Sequence, residues 1–262
     1  MHEREVVVAA PPALVEADGI AAGYGGPPVL DDVRFSVPPG TRIGVLGPNG
    51  GGKTTLFRVL LGELAPLRGT LRVNARCGTV PQSERARLDY PVTALDVALM
   101  GTLGRLAWWR RPGRGERRRA HEALEMVGLG ELASASFGEL SGGQRQRVFI
   151  ARALVQDARL VLLDEPFSGV DESTTRRVME LIDRLAAEGR SLMIATHDVE
   201  QARAWDLVLC LNRRQIAFGP PAQTLTRPVL EATHGGAIVM LPSEGAGAPA
   251  TGILPAHHHE ER

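Results

Sequence analysis

Between residues 15 and 46, short apolar runs alternate with turn clusters: "LVEADGIAAGY", "PVLDDVRFSV" and "PPGTRIGVLG". Runs of this length, bounded by Gly, Pro and Asp, predict β-strands, and "TRIGVLG" reads as a short buried one. The period then changes. In "KTTLFRVLLGEL", Leu56, Leu60, Leu61 and Leu64 recur at helical spacing and predict one apolar face. "GTLRVNARCGTVPQ" reads as two further short strands ending at Gln82. From about residue 83 to 155 strand signals give way to helical periodicity in "TALDVALMG", "ERRRAHEALEMVGL" and "GGQRQRVFIARALVQ". Strands return in "RLVLLDEP", "SLMIATHD", "DLVLCL" and "RRQIAFG", separated by the helices "ESTTRRVMELIDRLAAEG" and "VEQARA". Such alternation implies an α/β fold, a mainly parallel sheet covered by helices, with a helical insertion over 83–155. Beyond about residue 226 the pattern weakens, and "PSEGAGAPATGILPAHHHEER" predicts a mobile tail.

Composition narrows the classes. Lys and Arg number 30 against 30 Asp and Glu, which argues against bulk nucleic-acid affinity or an adsorbing surface. Cys77 and Cys210 match no metal spacing and read as reduced thiols. The N-terminal apolar run is shorter than a secretory leader requires, and no stretch approaches the ~20 residues that span a bilayer. A soluble chain is expected, with any membrane role supplied through a partner.

Lys53 is the only lysine in the chain; every other basic side chain of this kind is arginine. It lies in "GPNGGGKTT", where Gly47, Pro48, Asn49, Gly50, Gly51, Gly52, Lys53 and Thr54 complete the pattern G-x-x-x-x-G-K-[ST] between a predicted strand and a predicted helix. The glycines let the backbone wrap phosphates closely, and its N–H groups with the helix start make an anion site. A compact ammonium on a flexible stem enters such a loop to reach the β- and γ-phosphates; arginine's planar fork does not fit. Thr54 offers a hydroxyl to Mg²⁺, and Thr55 is a candidate for the α-phosphate.

"RLVLLDEP" delivers Asp164 and Glu165 to the C-terminal edge of a buried strand, where open α/β sheets bind ligands. Asp164 suits a Mg²⁺ ligand and Glu165 a base that polarises the water attacking the γ-phosphate. His197 and Gln82 also end strands. Each reads either as plain surface polarity or as a group facing the γ-phosphate and its metal. Ser141, Gly142 and Gly143 precede an amphipathic helix and form a second helix N-terminus suited to an anion. The plain alternative is a serine-capped helix start, and a cap alone leaves Gln144 unexplained.

"LSGGQRQR" (140–147) resembles the signature of ABC ATPases, and the chain resembles that family from about residue 15 to 225. The resemblance implies that Tyr24 stacks on adenine and that residues 47–54 form the Walker A loop. It makes Gln82 the Q-loop glutamine, a ligand of the metal alongside Thr54 and Asp164. Residues 160–164 match Walker B, Glu165 the catalytic glutamate, "SGVD" ending at Asp171 the D-loop, and His197 the switch histidine. It further implies an antiparallel β subdomain, an extension over 1–13, a cassette over 14–225 and a tail over 226–262. In the family two cassettes pack head to tail, each ATP lying between one Walker A loop and the partner's signature, here Ser141, Gly142, Gly143 and Gln144. A second copy is therefore the expected partner.

The stretch "VPQSERARLDYPVTALDVALMG" resembles cassettes of bacterial importers for manganese, zinc or chelated iron. That likeness implies a polytopic permease, an extracytoplasmic binding protein acting indirectly, no nucleic-acid partner, and a place on the cytoplasmic face of the inner membrane. An exporter subunit and a soluble ABC protein, for example in cluster assembly, are the alternatives. The basic run "GRLAWWRRPGRGERRR" (104–119) reads as a solvated loop, or as a surface for the permease or anionic lipid; a nucleic-acid site is disfavoured. "HHHEE" (257–261) carries ligands suited to a transition metal, on a tail with no preorganised geometry.

Overall fold

The computed structural model describes residues 11–80, 91–103, 110–168, 171–235, 238–241 and 250–253. Strands β1 (Val15–Ala22), β2 (Leu30–Val37) and β3 (Arg42–Leu46) precede helix α1 (Lys53–Leu60), and β4 (Arg68–Val73) and β5 (Cys77–Val80) follow it. The helical stretch holds α2 (Ala94–Leu99), α3 (Arg114–Met126) and α4 (Gly142–Val155). Then come β6 (Leu160–Asp164), α5 (Glu172–Ala187), β7 (Ser191–Thr196), α6 (Val199–Arg203), β8 (Leu207–Asn212) and β9 (Arg214–Gly219). Two short helices, α7 (Pro221–Thr224) and α8 (Arg227–His234), and the hairpin β10 (Ile238–Leu241) with β11 (Ala250–Ile253) complete the order.

One sheet of nine strands runs β4-β1-β2-β9-β8-β3-β7-β6-β5. From β5 through β6, β7 and β3 to β8 all pairs are parallel; β9 turns antiparallel against β8, and β1 pairs antiparallel with both β2 and β4. The parallel strands are buried on both faces, and their period of two sorts side chains to two separate cores. Leu160, Leu162, Met193, Leu209 and Leu211 face α1 and the antiparallel strands, whereas Val161, Leu163, Leu192, Ile194 and Val208 face the other helices. At Gly44 a Cβ would lie 2.7 Å from Trp205 Cε3, so this indole packs directly on the sheet.

β4 and β5 are joined by only residues 74–76, yet stand at opposite ends of the sheet order. Nine flat strands at about 4.8 Å spacing would place the two ends roughly 38 Å apart. Three connecting residues span at most about 14 Å. The sheet therefore curls, bringing its edges together around the core that contains Leu56, Phe57, Val59 and Leu60 of α1.

Helix α1 ends earlier than its periodicity predicts. Gly62 takes φ +75°, and the N–H groups of Gly62 and Glu63 turn back to the carbonyls of Val59 and Arg58 at 3.1 and 2.9 Å. This closing geometry stops the helix at Leu60 and leaves Leu61 and Leu64 half-buried beside the core. The stretch expected to be a tail from residue 226 also differs. Residues 227–234 form α8, with Leu230 only 1% exposed and Thr233 buried. The sequence hides this helix because Pro228 and Gly235 read as loop signals, while they serve as first-turn proline and left-handed C-terminal cap.

Candidate functional site

The loop from Gly47 to Gly52 lies between β3 and α1, and backbone crowding dictates its glycines. A Cβ at Gly47 would overlap the Leu211 carbonyl oxygen of neighbouring β8; Gly52 has φ +101° and its Cβ would overlap Leu30. Lys53 is 5% exposed and curls back into this loop, its Nζ donating to the Gly47 carbonyl at 2.7 Å and the Pro48 carbonyl at 3.3 Å. Burial pushes its pKa below the ordinary lysine value, against the opposing pull of the Glu165 carboxylate, whose Oε1 is 3.6 Å away.

On α1, the Thr54 hydroxyl donates to Asp164 Oδ2 at 3.1 Å, joining the helix start to the end of β6. Glu165 follows in a left-handed conformation, φ +50°, with its N–H on the Ala195 carbonyl of β7 at 3.1 Å. A non-glycine residue there stores roughly 1–3 kcal/mol of strain, and such strain clusters at functional positions. Pro48, Asn49, Gly50, Gly52, Lys53, Thr54, Thr55, Asp164 and Glu165 thus line one cleft of ≈ 350 Å³. Val29 lines it too, and nothing in the sequence pattern singles Val29 out.

Tyr24 stands at the rim, 55% exposed, its hydroxyl 3.5 Å from Thr55 Oγ1. Arg58 donates to the same hydroxyl at 3.3 Å. This arginine escapes a motif search, although its place three residues beyond Thr55 puts both on one helix face.

The remaining candidates lie elsewhere. His197 is exposed just past the end of β7 and does not line the cleft; Gln82, Trp108, Trp109 and the segment 257–261 are outside the described residues. Ser141 caps α4: the Gln144 N–H donates to Ser141 Oγ at 3.2 Å, while the Ser141 N–H donates to Gln144 Oε1 at 2.8 Å. This reciprocal box corrects the expectation that capping leaves Gln144 unexplained, since its side-chain oxygen is half of the cap. Asp171 caps α5, accepting from the Thr174 N–H at 3.0 Å and from the hydroxyls of Ser173 and Thr174 at 2.6 and 2.7 Å. These donors, Ser173 first, hold its carboxyl well below the usual carboxylate range. The two caps are neighbours, because a Cβ at Gly143 would overlap Thr174 Cγ2. Neither Ser141 nor Asp171 lines the cleft of its own chain.

A glycine loop between strand and helix, a buried lysine, and a hydroxyl joined to a strand-end carboxylate define a phosphate-loop nucleoside triphosphatase. Residues 30–168 match the ABC transporter family, and the chain belongs to that family. It is 42% identical over 233 residues to the zinc transport system ATP-binding protein TroB of Treponema pallidum, covering 86% of this chain and 88% of that one. It is 39% identical over 236 residues to the manganese transport system ATP-binding protein MntB of Bacillus subtilis, covering 87% and 94%. Among solved structures, a metal-chelate-type ABC transporter in an inward-facing conformation superposes with TM-score 0.83 at 29% identity, covering 94% of this chain and 98% of that one. A dimeric ATP-binding cassette bound to ADP and Pi superposes with TM-score 0.68 at 25% identity, covering 79% and 98%. The chain is an ABC ATPase: it binds and hydrolyses ATP, and the antiparallel and helical parts flank the parallel core as the family resemblance implies. Among the described residues, no helix is long and apolar enough to cross a membrane.

Proposed function

We propose that this chain powers a permease that imports a transition metal, manganese, zinc or chelated iron, from the cytoplasmic face of the membrane. The relatives named above carry zinc and manganese transport in their descriptions, which favours this cargo class over the exporter and soluble alternatives. The observation that carries the catalytic part is the single cleft joining Lys53, Thr54, Asp164 and Glu165.

In that cleft the backbone N–H groups of residues 47–54 and the Lys53 ammonium hold the β- and γ-phosphates. The Thr54 hydroxyl and the Asp164 carboxylate are hard oxygen donors already brought together at 3.1 Å, which suits Mg²⁺; Gln82 is assigned as a further ligand. Bound there, Mg²⁺ would neutralise charge on the phosphate oxygens. Glu165 takes the proton of the attacking water, and His197, exposed past the end of β7 and outside the cleft of the single chain, is assigned to the γ-phosphate of the closed site. Tyr24 stacks on adenine. The site is completed by a second copy whose Ser141, Gly142, Gly143, Gln144 and Asp171 close over the nucleotide, a helix N-terminus meeting the γ-phosphate. An extracytoplasmic binding protein delivers the metal to the permease.

Metal accumulation in a strain lacking the gene tests the cargo. Wild-type protein should restore uptake of one of manganese, zinc or iron, and Glu165→Gln should restore none. Equal accumulation of all three with and without the gene would overturn the metal assignment.

A further inference from the structure

Tyr24 sits in "GYGGPP", with Gly23 before it and Gly25, at φ +84°, and Gly26 after it. Backbone of this kind does little to fix the direction of a ring. More than half of Tyr24 is exposed, so packing does not fix it either. The orientation comes from α1. Arg58 donates to the Tyr24 hydroxyl at 3.3 Å, and its guanidinium carbon lies 5.7 Å from the ring centroid. Thr55 Oγ1, one helical turn earlier, is 3.5 Å from the same hydroxyl. With Thr55 a candidate for the α-phosphate, Arg58 is the hold on the ring that remains once nucleotide is bound.

We infer that Arg58 is a positioning residue for the base: it pins the glycine-flanked Tyr24 ring to the phosphate-loop helix in the orientation that stacks on adenine. The inference rests on Tyr24 being the adenine contact and goes beyond it. A ring held before binding loses less freedom on stacking, so the gain appears as affinity for the adenosine part of the ligand. Arg58 is itself exposed, and its replacement removes no core contact.

Calorimetric titration of ATP and of inorganic triphosphate into wild type, Arg58→Ala, Arg58→Lys, Tyr24→Ala and the Arg58→Ala/Tyr24→Ala double variant tests it. Arg58→Ala should weaken ATP about two- to fivefold, the range for an exposed cation–ring contact, and leave triphosphate unchanged. Arg58→Lys should recover part of the loss, and in the Tyr24→Ala background Arg58→Ala should cost nothing further. An equal loss for triphosphate would mean that Arg58 acts on the phosphates, and overturns the inference. So would an undiminished loss without the ring, or a silent Arg58→Ala beside a weakened Tyr24→Ala. Unchanged ATP affinity in Tyr24→Ala would instead sink the adenine reading itself, and the inference with it.

Discussion

Lys53 begins its cycle desolvated, bonded to its own loop and 3.6 Å from a carboxylate. Its lowered pKa has a consequence for binding. Polyphosphate stabilises the ammonium, so in the window between the lowered value and the ordinary 10.5, ATP binding takes up a proton. ATP affinity should therefore fall as pH rises through that window, by no more than about tenfold per pH unit. Titrations in buffers of different ionisation enthalpy read the proton count directly; release rather than uptake would contradict this account of Lys53. Lys53, Thr54, Asp164 and Glu165 were legible in the sequence because motif spacing and strand ends determine their place. Arg58 and Val29 were not: Arg58 is on the exposed face of α1 and gains its partner Tyr24, as Val29 gains its place, only through the fold of the loop between β1 and β2, which carries no periodic signal.

Among the elements, the start of α4 leans on the start of α5 through Gly143 and Thr174. Both starts carry residues assigned to the partner's nucleotide, so their mutual placement sets how the two surfaces are offered. Gly143→Ala should destabilise the fold by about 1–3 kcal/mol through overpacking, read by chemical denaturation. Thr174→Ser in the same chain removes the obstructing methyl and retains the hydroxyl that bonds Asp171, so it should recover most of the loss. A variant as stable as wild type would mean that the two helices separate freely. Helix α5 was readable as a helix, and the structure buries Val178, Leu181, Ile182 and Leu185 along one of its faces. Helix α8 was not, because its flanking proline and glycine are breakers in one context and caps in another. Likewise, sequence periodicity reveals the strands β4 and β5 but not that they end on opposite rims.

At the scale of the whole molecule, the phosphate cleft and the capped start of α4 are two half-sites that do not meet within one chain. Glu165→Gln should retain ATP binding while hydrolysis slows about a hundredfold or more. Removing the carboxylate also removes charge repulsion against the incoming phosphates. The variant with ATP should scatter as a dimer, and Ser141→Arg introduced alongside should return it to a monomer. A strictly monomeric ATP-loaded Glu165→Gln protein at high concentration, with its permease present, would refute the two-chain site.

The three-residue clasp between β4 and β5 also limits which parts can move. With both rims of the sheet buckled together around α1, the surfaces assigned to base and terminal phosphate belong to one stiff anvil. Base and phosphate therefore meet surfaces whose spacing the fold of one chain has already set before nucleotide arrives.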